Sequence, residues 1–321
     1  MTPQAEIERA ARILRAGGLV AFPTETVYGL GADAANPQAV ARLYAVKRRP
    51  ADHPAIVHFA DAALAFSWAR EVPESARRLA ARFWPGPLTL VLKRSALAGD
   101  FVTGGQDTVA LRVPAHPVAQ ALLCAFAGKQ GGRAFSGVAA PSANRFGAVS
   151  PTTAAHVRAD LGDEVDCVLD GGPSEVGIES TIVDLSGAAP VLLRPGRIGA
   201  AEIEAAIGAR VNPKAADAPR HPGGLERHYA PRTPAALVPA WRLDAEIAKR
   251  GAKVAVLAFS RPDERVDCWL RMPRDPHAYA RRLYAALREL DEAGCERILI
   301  EAPPEDPAWE AVRDRLVRAT A

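Results

Sequence analysis

A segment without hydrophobic periodicity divides this chain and limits what each part can fold into. It begins at Val211, reads VNPKAADAPRHPGGLERHYAPRTP, and is rich in proline, glycine and charge. Such composition is typical of linkers between compact domains. The sequence therefore predicts a domain over residues 1–208, a linker over 209–234 and a smaller domain over 235–321. A length of 321 residues also favours two domains over one.

Short apolar runs alternate with helical patterns in the first part of the chain. Strands are predicted at LVAF (19–22), AIVHF (55–59), LTLVLKR (88–94), TVALRVP (108–114), CVLDGG (167–172), STIVDL (180–185) and VLLRPG (191–196). Helices are predicted at 73–84, 117–127, 152–161 and 198–207. Because only some of the strands are separated by helices, the pattern indicates an α/β fold with a twisted, mixed sheet.

The part after the linker repeats the alternation of strand and helix on a smaller scale. KVAVLAF and a run at 266–271 predict strands, a helix follows over 277–293, and ERILIEA precedes a final helix from 307. Strands that alternate with helices favour a parallel sheet. The sequence therefore predicts a small Rossmann-like α/β domain.

Composition narrows the class of protein. Apolar residues make up 49% and charged residues 24%, as in globular proteins with a core, and a net charge of +3 argues against general polyanion binding. Four cysteines lie far apart without CxxC or zinc spacing, which argues against a disulfide framework or a structural metal. The first residues predict a charged amphipathic helix rather than a signal peptide, and no run is long enough to span a membrane. We therefore expect a cytoplasmic protein without membrane partners.

Three consecutive cations at 47–49 are the densest positive charge in the first domain. The NP pair at 36–37 predicts a helix start, and Pro50 requires that this helix end near Arg48. A helix C-terminus stabilises cations by about 0.3–1 kcal/mol each, which would explain the charge without a ligand. The alternative is a phosphate site. Lys47 favours that alternative slightly, because this chain has 34 arginines and 6 lysines.

Common cofactor and catalytic motifs are absent or out of context in the sequence. Gly29, Gly31 and Ala34 imitate a dinucleotide fingerprint, but the predicted helix begins only at Pro37 rather than at the glycines. We interpret these glycines as part of a strand packed tightly beneath a ligand. The phosphate-binding motif GxxxxGK[ST] and the nucleophile motif GxSxG do not occur in the sequence. The zinc motif HExxH is also absent, so the sequence predicts no metal site built from protein ligands alone.

Polar residues within or beside the predicted strands are the remaining candidates for a site. They are Thr24, Glu25, Thr26, Lys47, Arg49, His53, His58, Thr108, Arg112, Ser142, Asn144, Ser150, Glu179, Ser180, Thr181 and Arg194. Each alone is more typical of a cap, a turn or a surface group.

The order of these motifs resembles the YrdC family. PTETVYGLG is followed by K-x-R-P, S-x-N, ESTIVDL and LRPG, and the linker with HYAP is similar to that of the longer, two-domain members. The resemblance implies a twisted sheet with a concave, basic cavity. It also implies a nucleotidyltransferase that joins L-threonine, bicarbonate or CO₂, and ATP into threonylcarbamoyl-AMP and releases diphosphate. The product would pass to a transferase complex that modifies an adenosine in tRNAs reading ANN codons, with tRNA contacted at most indirectly.

The resemblance also implies roles for particular residues. Lys47 and Arg49 would be catalytic and face the triphosphate. ATP would be bound by Arg49, His53, Thr108, Ser142, Asn144, Ser150, Arg194 and Tyr229, and threonine by Thr26, His58, Arg112, Ala140 and Ser180. Mg²⁺ would arrive with ATP and be held mainly by its phosphates. Arg227, His228 and Tyr229 of the linker would form a lid that excludes water.

Two departures from the family pattern affect the nucleotide site. His53 stands where asparagine is usual, which puts that contact with the nucleotide in doubt, and Pro141 replaces a threonine of the usual TSAN motif. Two other functions stay open from sequence. One is a module that binds double-stranded RNA or tRNA on the basic concavity, and the other is carbamoyl transfer in hydrogenase maturation. The near-neutral charge favours a small-ligand pocket over the first, and the acylphosphatase and zinc-finger segments that accompany the second are missing.

Overall fold

A computed structural model describes residues 3–127, 137–215, 218–250 and 253–321, with the backbone alone at residue 250. The chain forms two compact units. The described residues of 1–146, 151–175 and 179–224 form the first, and Gly147–Ser150, Val176–Ile178 and Leu225–Ala321 form the second. The predicted linker is therefore divided between the units at residue 224, and its residues 216 and 217 lie outside the described residues.

The first unit contains the strands and helices that carry most of the motifs. Its strands are β1 (Val20–Phe22), β2 (Gly29–Asp33), β3 (Ile56–His58), β4 (Leu88–Lys93), β5 (Thr108–Arg112), β6 (Val138–Ala139), β7 (Cys167–Val168), β8 (Thr181–Asp184), β9 (Val191–Arg194) and β10 (Asn212–Pro213). Its helices are α1 (Gln4–Arg15), α2 (Pro37–Lys47), α3 (Ala62–Ser67), α4 (Glu74–Phe83), α5 (Asp100–Thr103), α6 (Pro117–Ala127), α7 (Ala154–Leu161) and α8 (Ala200–Ile207), with a 3₁₀ turn at Gly162–Glu164.

These strands form one sheet in the order β10-β9-β8-β4-β5-β3-β6-β2-β1-β7. Neighbours are parallel at β10–β9, β8–β4, β5–β3 and β1–β7, and antiparallel elsewhere. The predicted α/β class with a mixed sheet is therefore confirmed. The core packs between sheet and helices, with α1 burying Ile7, Ala10, Ala11 and Leu14, the residues at helical spacing in the sequence.

Helix α2 begins and ends where the sequence predicts. The side chain of Asn36 accepts hydrogen bonds from the amides of Gln38 and Ala39, and Pro37 occupies the first helical position. The helix ends at Arg48, whose φ of 52° is left-handed. This turn fixes the direction in which the following residues leave the helix.

The glycines of PTETVYGLG lie inside β2. A Cβ on Gly31 would lie 2.8 Å from Cγ1 of Val138 and 2.9 Å from the ring of Phe22, so neighbouring strands leave no room for a side chain. Because Gly29 and Gly31 belong to a strand and α2 begins only at Pro37, the dinucleotide fingerprint lacks its structural context. The predicted strand is confirmed.

The second unit is a smaller α/β structure. It contains β11 (Ala235–Val238), α9 (Leu243–Arg250), β12 (Val254–Ala258), β13 (Cys268–Arg271), α10 (Pro276–Glu292), β14 (Arg297–Glu301) and α11 (Glu310–Thr320), with 3₁₀ turns at Ala240–Arg242 and Pro307–Trp309. The order β11-β14-β12-β13 is parallel throughout. The predicted parallel α/β domain is confirmed. Among the described helices, none combines the length and the apolar composition needed to span a bilayer.

Candidate functional site

The turn after α2 buries two of its three consecutive cations. Lys47 is 2% exposed and Arg49 9%, whereas Arg48 between them is exposed. Nη2 of Arg49 donates to the carbonyl of Pro54 at 2.6 Å, and its guanidinium lies 5.5 Å from the centre of the Tyr44 ring. A solvated helix end does not explain this arrangement, because cations that only complement a helix dipole stay in water.

Lys47 connects this turn to the PSAN segment. Its Nζ donates hydrogen bonds to the carbonyl oxygens of Ser142 and Asn144. Burial, reinforced by the charge of Arg49, lowers the pKa of Lys47 well below its usual value. The binding of an anion beside this ammonium would therefore stabilise its charged form.

A buried ion pair joins PTET to the end of β5. Nη2 of Arg112 donates to Oε1 of Glu25 at 2.8 Å, and the two side chains are 4% and 8% exposed. The other oxygen of Glu25 accepts from the amide of Ala115 at 3.1 Å, and Nε of Arg112 donates to the carbonyl of Gly86 at 3.3 Å. Arg112 is therefore fixed in position by partners on both sides.

The threonines of PTET form a tight local turn. Oγ1 of Thr24 donates to the carbonyl of Val27 at 2.6 Å and accepts from the amides of Thr26 and Val27. Oγ1 of Thr26 lies 2.8 Å from Oγ1 of Thr24. Since the proton of Thr24 is used by Val27, it is not donated to Thr26, and the hydroxyl of Thr26 keeps lone pairs that can accept a hydrogen bond.

Several charged or polar candidates lie at one edge of the sheet. His58, Arg112 and Arg194 are the last residues of β3, β5 and β9, which run in the same direction. Ser180 immediately precedes β8, which runs the opposite way, and so lies at the same edge. Nε of Arg194 donates to the Ser180 carbonyl at 3.0 Å and Nη2 to the Ser180 hydroxyl at 3.2 Å. The motifs ESTIVDL and LRPG are thus in direct contact.

The first part of the predicted linker connects the α2 turn to Arg194. Nη1 of Arg220 donates to the carboxylate of Asp52 at 3.0 Å, three residues after Arg49. Two residues further on, the carbonyl of Pro222 accepts from Nη1 of Arg194 at 2.9 Å. Residues 220 and 222 are at most about 7 Å apart, so this short segment contacts both the loop after α2 and Arg194.

Comparisons with known proteins identify the family of this chain. A family model described as "Telomere recombination", Sua5/YciO/YrdC, matches residues 12–196, and one described as the C-terminal domain of threonylcarbamoyl-AMP synthase matches residues 198–321. A threonylcarbamoyl-AMP synthase of Pyrococcus abyssi is 42% identical over 98% of this chain and 94% of that protein. The chain belongs to the threonylcarbamoyl-AMP synthase family. The resemblance predicted from the ordered motifs, and with it the enzyme class, is confirmed.

Further members of the threonylcarbamoyl-AMP synthase family, and a structural relative, are also similar to this chain. The Bacillus subtilis synthase is 40% identical and covers 99% of this chain and 94% of its own length. The crystal structure of P. abyssi Sua5 complexed with L-threonine has a TM-score of 0.89 and 41% identity over 99% of this chain and 95% of that one. Escherichia coli YciO, with a TM-score of 0.51 and 25% identity, covers 61% of this chain and 91% of its own.

The other candidates of the first unit lie on the same structural elements. The ring of His53 packs against Phe146 with centres 5.2 Å apart, and burial, then the charge of Arg49, lowers its pKa. Ala140 donates its amide to the carbonyl of Ile56, and Ser142 forms an isolated bridge with Gly29. Thr108 begins β5, and Asn144 is 1% exposed. His53, Ser142 and Asn144 are therefore brought close to Lys47, whereas Thr108 is at the far end of the strand from Arg112.

Ser150 and Tyr229 belong to the second unit. Tyr229 has a φ of 60° and is 1% exposed, stacked on Tyr284 with ring centres 5.7 Å apart. The guanidinium of Arg315 lies 5.3 Å from the Tyr229 ring, and the amide of His228 donates to the carbonyl of Arg318. Both linker residues are thus anchored within that unit.

Sequence reasoning assigned no role to Glu25, Thr89 or Arg220. Glu25 contacts Arg112, Thr89 contacts Ser180, and Arg220 pairs with Asp52 in the loop after α2. Glu25 was visible as a carboxylate between two threonines beside a strand, and a local signal for its partner was missing because Arg112 lies 87 positions away. Thr89 resembles any β-branched strand residue. Among the residues that the structure describes, no group of three or more His, Cys, Asp or Glu side chains could hold a metal ion.

Burial of His58 gives the fold a defined dependence on pH. Its desolvated position, then the charge of Arg112, lowers the pKa of His58 from 6.5 to about 3. Between these values the unfolded chain binds a proton that the native state does not. The free energy of unfolding should therefore fall by about 1.4 kcal/mol per pH unit on acidification from about 6.5, and this group should contribute nothing above that pH.

Urea unfolding at several pH values between 7 and 4 tests this contribution. A His58→Gln variant should lose this part of the slope, whereas the exposed His277→Gln variant should retain it. Parallel slopes for the wild type and His58→Gln would contradict the assignment.

Proposed function

We propose that this chain synthesises threonylcarbamoyl-AMP from L-threonine, bicarbonate or CO₂, and ATP, and releases diphosphate. The observation that carries the proposal is the burial of cations from separate motifs that a chain of contacts links. Lys47 is bonded to PSAN, Arg49 to the carbonyl of Pro54, and Arg194 to ESTIVDL. Residues 220–222 contact both Asp52, in the loop after α2, and Arg194. Buried positive charge is costly without an anion, and the triphosphate of ATP is the anion of this family's reaction.

The triphosphate would lie against Lys47 and Arg49, the proposed catalytic residues. Among the described residues, the Ser142 and Asn144 carbonyls take two of the three donors of the Lys47 ammonium, and the third donor would be available to a phosphate oxygen. An arriving triphosphate would favour the charged form of a lysine whose pKa burial has lowered. The remaining proposed ATP contacts are His53, Thr108, Ser142, Asn144, Ser150, Arg194 and Tyr229.

Threonine would bind beside the nucleotide at Arg112 and its neighbours. Arg112, which Glu25 and Gly86 hold in place, would pair with the carboxylate. The lone pairs of Thr26 suit an ammonium or amine donor. His58, Ala140 and Ser180 complete the proposed threonine site, and the low pKa of His58 keeps it a neutral hydrogen-bonding group.

The chemistry then needs orientation and charge stabilisation and no protein nucleophile. The amine of threonine takes up CO₂ and loses a proton to give a carbamate. A carbamate oxygen attacks the α-phosphorus of ATP, the bond to the bridging oxygen breaks, and diphosphate leaves. Fixed cations around the phosphates stabilise the charge that develops on them.

Mg²⁺ fits this site as an ion that arrives with the nucleotide. The described residues near the proposed phosphate position contribute mainly cations, and the acidic side chain Glu25 is occupied by Arg112. Phosphate oxygens would therefore hold the ion, which would neutralise charge on the leaving diphosphate.

The domain limits, the role of the linker and the fate of the product belong to the same proposal. The domain limits of 1–208 and 235–321, and the closure of the linker over a concave, basic cavity, stay proposals. The product would pass in the cytoplasm to a complex that transfers the threonylcarbamoyl group to tRNA, with no membrane involved. The burial of Lys47, Arg49, Arg112 and Arg194 argues against a double-stranded RNA face, which needs exposed cations. The match of residues 198–321 to a synthase domain favours synthesis over carbamoyl transfer in hydrogenase maturation.

Product analysis with labelled substrate tests the proposed function. ATP, L-threonine and ¹³C-bicarbonate should yield threonylcarbamoyl-AMP one mass unit heavier by mass spectrometry, together with diphosphate. Omission of threonine or bicarbonate should reduce diphosphate release to background. Equal release without either substrate would reject the proposal.

A further inference from the structure

The hydroxyl of Ser180 contacts a second hydroxyl that the motifs do not include. Oγ of Ser180 lies 2.8 Å from Oγ1 of Thr89 on β4, and it accepts a hydrogen bond from Nη2 of Arg194 at 3.2 Å. Both hydroxyl-bearing residues are 0% exposed, and Arg194 is 3% exposed. Three polar side chains thus meet where water does not reach.

The direction of each hydrogen bond follows from the available protons. Arg194 can only donate, so it occupies one lone pair of the Ser180 oxygen. Within the part of the chain that the structure describes, Ser180 is the one hydrogen-bond partner of the Thr89 side chain. Without a ligand, either direction leaves one proton of this hydroxyl pair without an acceptor among the described residues. With an acceptor bound at Ser180, both protons are used if Thr89 donates to Ser180 and Ser180 donates to the ligand. The reverse direction would leave the proton of Thr89 buried without an acceptor, at a cost of about 1–3 kcal/mol.

Two donors then fill both lone pairs of the Ser180 oxygen, and its own proton is left for a third partner. That partner must be an acceptor, and an anionic oxygen forms the strongest such bond. Because Ser180 lies at the same sheet edge as Arg112, the carboxylate proposed to pair with Arg112 is the acceptor of matching charge and position.

We propose that Thr89 is a positioning residue that commits the Ser180 hydroxyl to donate to the carboxylate of bound L-threonine. The inference rests on the proposed function, and it adds a residue outside the recognised motifs. Thr89 acts through Ser180 and does not contact substrate. The same serine is bonded to Arg194, so Thr89 also fixes the group that lies between the proposed threonine and nucleotide sites.

Replacement of Thr89 by valine tests this role, because valine keeps the shape and removes the proton. Loss of one directing hydrogen bond is expected to raise KM for L-threonine by roughly tenfold and to change KM for ATP by less than about twofold. Thr89→Ser restores the hydroxyl and should return KM for threonine to near the wild-type value. Thr103→Val, which removes another buried hydroxyl on α5, is the matched control and should leave both constants unchanged.

A double-mutant cycle separates this role from a general loss of stability. Ser180→Ala should raise KM for threonine by itself, and Thr89→Val should then add no further effect. Unchanged kinetics of Thr89→Val, a Thr89→Ser variant as impaired as the valine variant, additive effects with Ser180→Ala, or a rise confined to KM for ATP would each overturn the inference. If Thr89→Val does not fold, Thr89→Ala, which also removes the hydroxyl, takes its place in the cycle with Ser180→Ala and is judged by the same outcomes.

The proposed function is checked separately in the same assay. Absence of threonine-dependent diphosphate release by the wild type would reject the function itself. Normal wild-type turnover combined with any of the contrary outcomes above would reject the role of Thr89 alone.

Discussion

Replacement of Lys47 by methionine should reduce diphosphate release by about 10²-fold or more and leave the protein folded. The magnitude follows from the loss of a fixed positive charge at the transferring phosphate, which commonly costs about 10²–10⁵ in rate. Methionine has a similar length without the charge, so it isolates the ammonium from the packing of its stem.

The structure also limits the effect of this change on stability. The carbonyls of Ser142 and Asn144 would lose the hydrogen bond from the lysine, at about 1–3 kcal/mol at most, since the Ser142 carbonyl still accepts from the amide of Asn144. Removal of a cation whose pKa burial already lowers would offset part of that cost. We therefore expect a small shift of Tm and a very large loss of turnover.

Steady-state kinetics and thermal unfolding of two variants test the prediction. Lys93→Met is the matched control, because the side chain of Lys93 is 37% exposed and pairs with Glu71 on the surface. It should keep nearly full activity. Unfolding of Lys47→Met under assay conditions, or activity that falls only in step with the folded fraction, would instead support the simple role of a cation at a helix end.

The second large effect concerns stability and comes from the buried pair of Glu25 and Arg112. Replacement of Glu25 by leucine should lower the free energy of unfolding by about 3–5 kcal/mol, because it leaves a guanidinium buried without its counter-charge. Arg112→Met should also be destabilising, since it leaves the carboxylate of Glu25 unpaired.

The double variant distinguishes the cost of an unpaired charge from the role of Arg112 in binding. Glu25→Leu combined with Arg112→Met removes both charges, so much of the stability lost in each single variant should return. Activity should not return, because Arg112 is the proposed partner of the threonine carboxylate. Chemical denaturation and threonine-dependent diphosphate release of all three variants provide the two measurements. Recovery of both stability and activity would remove Arg112 from the threonine site.

The parts of the fold that the sequence predicted carry strong local signals. Helix α6 has the predicted bounds of 117–127, and α2 has its predicted cap and proline start. The strands with long apolar runs, such as β4 and β12, were also found. In contrast, β6 and β10 contain two residues each, too few for any period to be visible, and their pairing is decided by neighbouring strands. At the start of the second unit, β11 and α9 were not predicted.

For the candidate site too, some residues were predicted from motifs and others could be found only from the structure. Motif order pointed to Lys47, Arg112, Ser180 and Arg194, and the structure ties each to another motif. The partners were not visible because they depend on tertiary packing. Thr89 meets Ser180 across 91 positions, inside a run that reads as an ordinary apolar strand. Whether Tyr229 and Ser150 act on the nucleotide could not follow from motifs either, since a motif does not reveal what its side chains pack against.

The left-handed turn at Arg48 makes the tripeptide KRR something other than a block of interchangeable charges. On a continuing helix its three side chains would point about 100° apart in succession, and the first and last would face different directions. The turn brings residues 47 and 49 inward and turns Arg48 out to solvent. At that middle position the backbone geometry, which glycine or asparagine adopts most readily, is the main requirement. We therefore expect substitutions of Arg48 to be tolerated. A one-residue insertion or deletion at this position would instead displace both Lys47 and Arg49.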